Sequence, residues 1–181
     1  DTSRIRILAA IANCYGWAEN FNSDSALYYA QEALQLQQKM MVSDEYRLWA
    51  KTGHSFELMR LKELIASLLH SLGNYPKALE IRFENLKLAE KEKDKFIMVN
   101  ASDNITADYS AMKDYYSVLN YGKLMDSIVS RLNVADPRFS NAQWTAKHNI
   151  SLAYYNLHLP DSAFYYAKKM TAIKTYYNYD Y

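Results

Sequence analysis

The sequence predicts an all-α protein of about four helix hairpins, eight helices and no strand. Three observations predict it. An isoleucine followed by a small side chain 13 residues later recurs as Ile65 and Ala78, Ile105 and Val118, and Ile150 and Ala163, with Ile11 and Ala26 a looser copy carrying two extra residues in its turn. Around these anchors the apolar residues fall at spacings of three, four and seven, which share one face of a helix. Glycine and proline are scarce, 4 and 3 among 181 residues, as suits a chain with few irregular loops.

The columns agree unit by unit. The residue after each isoleucine is small or nearly so (Ala12, Ala66, Thr106, Ser151), and the fourth after it is large (Tyr15, Leu69, Tyr109, Tyr154). In the second helix the small anchor is followed at once by Leu27, Leu79, Leu119 or Phe164. Three after it stands Tyr29, Ile81, Tyr121 or Tyr166, and ten after it Leu36, Leu88, Ile128 or Ile173. A single hairpin cannot bury such a stripe alone, so hairpins stack and build a continuous core. One repeat domain over 1–181 is expected, with units at about 3–41, 44–93, 95–132 and 137–177.

Taken in order, the first hairpin is expected at about 3–19 and 24–40, with Asp24 as N-cap of the second helix. Ser43-Asp44 then opens a long helix over about 45–72 that carries Trp49 and a weak point at Gly53. Gly73 supplies the left-handed residue that closes it, and Pro76 sits just inside the next helix, where its missing N–H would be unpaired anyway. The run Glu90-Lys91-Glu92-Lys93-Asp94-Lys95 reads as a solvated helix face. The third hairpin is expected at about 96–111 and 114–132. Asp136-Pro137 then opens a helix to about 157, and Asp161 caps the last helix, which frays into a tyrosine-rich end.

Gly73-Asn74-Tyr75-Pro76-Lys77-Ala78-Leu79-Glu80 resembles the turn of a tetratricopeptide repeat (TPR). Asp24-Ser25-Ala26-Leu27-Tyr28-Tyr29-Ala30 and Asp161-Ser162-Ala163-Phe164-Tyr165-Tyr166-Ala167 are similar to segments of repeat domains in Bacteroidetes sensor histidine kinases and regulatory proteins. The resemblance covers nearly the whole chain and implies a right-handed superhelix whose first helices line a concave groove. The chain departs from the pattern at Lys62, Ser102 and Lys147, where an aromatic or leucine is usual, and at Arg82 and Gly122 in second helices.

Composition excludes several function classes. The net charge of +1 offers no electrostatic reason for nucleic acid or an anionic membrane as partner, and no window approaches the roughly 20 apolar residues of a membrane span. There is no glycine-rich phosphate loop, no paired cysteine, and no two histidines one turn apart with an acid between them. His54, His70, His148 and His158 are scattered, and Cys14, beside Ile11 and Tyr15, reads as a small buried hydrophobe. No catalytic residue, metal ligand or cofactor is expected, and the fragment does not read as an enzyme. Both ends look like cuts through a longer protein, with an output domain such as a kinase expected outside these residues.

The groove is the expected site. Positions two before, two after and five or six after each isoleucine point into it, selecting Ala9, Asn13 and Trp17, then Glu63, Ser67 and His70, then Asp103, Ala107 and Ser110, then His148, Leu152, Tyr155 and Asn156, joined by Arg6 and Arg60. Trp17 and Tyr155 are anchors of the kind enriched in binding hot spots. The tyrosine doublets at 28–29, 115–116, 154–155, 165–166 and 176–177 are expected to pack one ring between hairpins and leave the other wet. The expected partner is a protein or peptide, self included as a homodimer. The expected role is the sensory or scaffolding region of a bacterial signal-transduction protein, a two-component system among them, in the periplasm as part of a membrane-anchored chain. The alternatives are a structural self-association module and the cytoplasmic region of a transcriptional regulator.

Overall fold

The computed structural model describes residues 2–17, 22–41, 55–132 and 137–173. Among them the chain is all-helical: eight α-helices and no strand. They are α1 (Thr2–Trp17), α2 (Ser23–Met41), α3 (Ser55–Ser71), α4 (Tyr75–Glu92), α5 (Lys95–Ala111), α6 (Tyr115–Val129), α7 (Pro137–Asn156) and α8 (Pro160–Thr171). The chain groups into two compact units, Asp1–Asn85 and Leu86–Tyr181. The expected Ser43-Asp44 cap, Trp49, Gly53, His54, Asp136 and the doublet at 176–177 lie outside the described residues.

In the first unit α1 packs on α2 and α2 on α3. Ala12, Ala26, Ala30, Ala66 and Ala78 are buried among Ile65, Leu68 and Leu69. Small side chains let the backbones close up while the branched ones fill the space between, which is how an interior reaches crystal-like density. Gly16 marks the tightest approach: a Cβ there would stand 3.1 Å from Leu68 Cδ2 and 3.9 Å from Ala26 Cβ. A second cluster joins Ile5 of α1, Ala33 of α2 and Leu61 of α3.

In the second unit α5, α6, α7 and α8 pack in succession, and α5 also touches α7. Gly122 of α6 repeats the close approach, a Cβ there falling 3.0 Å from Ile150 Cγ1. This explains one departure from the repeat pattern: nothing larger than hydrogen fits between α6 and α7 at that point without displacing Ile150.

The other departures are polar pairings. Lys62 Nζ reaches Glu84 Oε2 at 2.7 Å, and Lys147 Nζ reaches Asp126 Oδ1 at 2.6 Å. Ser102 is buried and its hydroxyl donates to Met98 O at 2.7 Å. Arg82, 3 % exposed, donates from Nε and Nη2 to Glu63 Oε1 at 3.1 and 3.0 Å, and its Nη2 lies 3.4 Å from Ser67 Oγ. A buried ion needs such partners, because an unpaired one loses its hydration with nothing in exchange.

Three hairpin turns share one geometry eight residues after the isoleucine. Gly73, Lys113 and His158 take φ of 75°, 61° and 59°. In each, the next N–H reaches back to the first helix: Asn74 N to Leu69 O at 2.8 Å, Asp114 N to Tyr109 O at 2.9 Å, and Leu159 N to Tyr154 O at 2.9 Å. This is the Schellman closure, which satisfies carbonyls left open at a helix end. The sequence reading expected it at Gly73 alone.

Several expected termini shift. Asp24 does not cap α2; the Asn22 side chain does, accepting from Ser25 N at 3.0 Å, and Asp24 sits in the first turn. Asp161 does not cap α8, which begins at Pro160 with Leu159 at its N-cap and no side-chain bond there. The charge run 90–95 is not one helix face. It holds a turn, with Lys93 at φ 60° and Asp94 capping α5 by accepting from Phe96 N and Ile97 N. Asp114 caps α6 in the same manner through Ser117 N, and α6 ends at Val129, short of the expected 132.

The tyrosines form a second internal repeat. Tyr15 stacks on Tyr29, Tyr109 on Tyr121 and Tyr154 on Tyr166, with ring centroids 5.7, 5.9 and 5.7 Å apart. Each pair joins the two helices of one hairpin, so these rings pack within hairpins and not between them as expected. The side chains that leave one helix four after the isoleucine and the other three after the small anchor meet face to face across the seam. The second hairpin carries Leu69 and Ile81 at these positions. Doublet partners Tyr28, Tyr116, Tyr155 and Tyr165 are exposed. Burial, then the neighbouring Tyr109 and Glu90, raises the Tyr121 phenol above its ordinary pKa of 10.0.

Candidate functional site

A groove of about 640 Å³ opens between α1 and α3 in the first unit. Its apolar lining comes from Ile5, Leu61, Leu64 and Leu68, and small residues at Ala9, Ala10 and Gly16 keep the α1 wall low. Polar groups enter from both helices: Arg6 and Asn13 from α1, Arg60, Glu63, Ser67 and Ser71 from α3. The helical period places them there, since 6, 9, 13 and 16 share one face of α1 and 60, 63, 67 and 71 one face of α3.

The electrostatics are organised from behind. Glu63 Oε1 accepts from Arg82 of α4 and from the Ser67 hydroxyl at 3.1 Å, so the one carboxylate of the lining is already engaged. Arg82 is held near-dry and cannot swing out without giving up its two bonds to Glu63. The polar floor is therefore positioned before any ligand arrives, the arrangement that lowers the ordering penalty of binding. The guanidinium groups of Arg6 and Arg60 suit a ligand with a carboxylate beside an apolar group.

Five of the twelve predicted polar or aromatic site residues line this groove: Arg6, Asn13, Arg60, Glu63 and Ser67. The Trp17 side chain lies outside the described residues. His70, on α3, meets the Tyr75 ring edge-on at 5.2 Å and is not part of the lining. The remaining five belong to the second unit. Asp103 Oδ1 accepts from Asn149 Nδ2 at 2.9 Å, tying α5 to α7, and Ser110 gives its carbonyl to the Lys113 turn. His148 is exposed and stacks on Trp144 at 5.1 Å; Asn156 Nδ2 donates to Leu152 O; Tyr155 is exposed.

The sequence reading placed Ala9 in the groove but missed its apolar lining at Ile5, Leu61, Leu64 and Leu68 and the low wall at Ala10 and Gly16. Gly16 was the available signal, because a glycine inside a helix weakens it and marks a close backbone approach. Cys14 was expected to be buried and is exposed. It lies on the same face of α1 as the exposed Ile7, turned away from the α2 contact.

Among the described residues no three His, Cys, Asp or Glu side chains gather as a metal site would require. Among them, no helix is long and apolar enough to cross a membrane. No protein-family model matches the chain, and a search of curated proteins finds no match to it.

Proposed function

We propose that this chain is a protein- or peptide-binding module of tetratricopeptide-repeat type, serving as the sensory or scaffolding region of a bacterial signal-transduction protein in the periplasm. The observation that carries the reading is the groove between α1 and α3. It combines an apolar floor with polar groups fixed by the Glu63–Arg82–Ser67 cluster. A cleft of this size and mixed lining fits an extended peptide or a short helix more than a small metabolite, which a closed pocket would hold better. The repeated columns and hairpin turns support the repeat-type assignment, and the segments similar to Bacteroidetes regulatory proteins support the signalling role.

The test is to pan a phage-displayed library of random peptides on the purified chain and measure the enriched peptides by fluorescence anisotropy. Peptides with an acidic residue beside an apolar one are expected to emerge. Asn13→Trp, which fills the groove, and Arg60→Glu, which inverts its charge, are each expected to weaken binding about tenfold or more. Enrichment of no sequence, or binding indifferent to both substitutions, would refute the groove as the site. The compartment is tested separately by a reporter fusion to the full-length gene product, periplasmic signal supporting the reading and cytoplasmic signal overturning that part.

A further inference from the structure

Each stacked tyrosine pair holds two oxidisable rings in contact across two helices of one hairpin. Ring centroids stand 5.7 Å apart for Tyr15 and Tyr29, 5.9 Å for Tyr109 and Tyr121, and 5.7 Å for Tyr154 and Tyr166, with planes 7°, 15° and 30° from parallel. Tyr15 is exposed and the other five are half-buried. A phenol that loses a hydrogen atom carries unpaired spin on the ring carbons beside its oxygen, and two such carbons bond when two radicals meet. Rings already held face to face meet without diffusing, the advantage of an intramolecular reaction over a bimolecular one.

Two of the pairs also have a way in from solvent. Tyr28, 59 % exposed, meets Tyr29 edge-on at 5.4 Å, and Tyr165, 53 % exposed, meets Tyr166 edge-on at 5.3 Å. A hydrogen atom taken from the outer ring leaves the vacancy one ring contact away from the stacked pair. In the third hairpin Asn120 stands before Tyr121, so that pair has no doublet partner to serve as entry.

We propose that Tyr15 with Tyr29, and Tyr154 with Tyr166, are oxidative cross-linking sites, each closing to a dityrosine that staples the first helix of its hairpin to the second. The oxidant is a one-electron acceptor of the haem-peroxidase class fed by hydrogen peroxide. Each phenol gives up one electron and one proton, and one carbon–carbon bond forms between the ring carbons beside the two oxygens. The hydrogens displaced from those carbons restore the hydroxyl groups, and one peroxide is reduced to two waters per bond. The new bond closes a short loop in the unfolded chain and so removes entropy that unfolding would gain. The second hairpin, with Leu69 and Ile81 at these positions, stays unlinked. This inference does not depend on the groove.

Treating dilute Cys14→Ser chain with a haem peroxidase and hydrogen peroxide tests it, the substitution removing an exposed thiol that would return hydrogen atoms to the radicals. Dityrosine fluorescence is expected to rise while the chain still runs as a single polypeptide on a denaturing gel, its intact mass falling by two hydrogens per bond. Peptide mapping is expected to find Tyr15 joined to Tyr29 and Tyr154 joined to Tyr166 before any link between Tyr109 and Tyr121. Tyr29→Phe keeps the ring but loses the hydroxyl, and is expected to abolish the first link and spare the second. Tyr28→Phe is expected to slow the first link severalfold and leave the second unchanged. Links that fall mainly on Tyr116 and Tyr155, which are 72 % and 70 % exposed, would show that access alone selects the rings and overturn the proposal. So would links that mainly join two chains, or a first link that forms at an unchanged rate in Tyr28→Phe.

Discussion

Glu63 and Arg82 are paired but unequally placed, and that inequality predicts an asymmetric response to mutation. The Arg82 side chain is 4 % exposed and the Glu63 side chain 27 %. Glu63→Ala removes the carboxylate that accepts from Arg82 Nε and Nη2 in near-dry surroundings, and its expected cost exceeds that of Arg82→Met while staying below the about 3–5 kcal/mol of breaking a fully buried pair. Arg82→Met keeps most of the packing of the arginine stem and leaves a carboxylate that water reaches and the Ser67 hydroxyl still serves. Discounted for that exposure, its expected cost is about 1–2 kcal/mol. The double substitution removes both charges, so its cost is expected to lie within about 1 kcal/mol of Arg82→Met alone, far from the sum of the two. Urea unfolding followed by far-ultraviolet ellipticity measures all three. Hydrogen exchange over α3 and α4 localises the effect. Should Arg82→Met prove as destabilising as Glu63→Ala, or the two effects add, the assignment of Arg82 as the buried, dependent partner is wrong.

Lys113→Gly is expected to stabilise the chain by about 0.5 kcal/mol in the same unfolding assay, since a left-handed backbone strains a lysine more than the added freedom of glycine costs in the unfolded chain. Asp94→Ala removes the acceptor of two backbone N–H groups at the start of α5 and is expected to cost about 1 kcal/mol, whereas Asp161→Ala, which loses no cap, is expected to change little. Tyr121 carries a raised pKa, so the fold favours its neutral phenol. That contribution is whole below the ordinary value of 10.0 and is lost as pH climbs through the higher folded value. Thermal melts from neutral to strongly alkaline pH are therefore expected to decline less steeply for Tyr121→Phe than for the native chain.

The hairpins were legible because their cause is local. Isoleucine and alanine at fixed helical spacing report which face must be buried, and Gly73 reports where a helix must end. Caps were less legible, because the residue that accepts from the first turn depends on two residues of register: Asn22 and Asp24 both qualify by type, and only the path of the chain decides for Asn22. The departures at Lys62, Arg82, Gly122 and Lys147 could be seen but not explained, since their partners lie 19 to 28 positions away on another helix. The site was half legible for a related reason. Periodicity gives the direction of Arg6 or Ser67 around its own axis, yet a groove exists only where two helices leave a gap, and that depends on how small the residues at Ala9, Ala10 and Gly16 are. His70, Asp103 and Asn156 carry the same angular signature and are spent on internal contacts instead.

The polar pairings that replace the usual repeat residues have a consequence for how such a chain can change. In an array of identical hairpins any unit can be deleted, duplicated or exchanged, because every seam is the same seam. Here the junction of α6 and α7 is keyed by Lys147 to Asp126, and that of α5 and α7 by Asn149 to Asp103 and Thr106. Glu63 to Arg82 locks α3 to α4 inside one hairpin and would travel with it. A transplanted hairpin would bring the apolar stripe but not the matching lock, and would strand a charge or an amide at the new boundary. The fourth hairpin has thereby acquired an address, and its place after the third is written into the contacts between them.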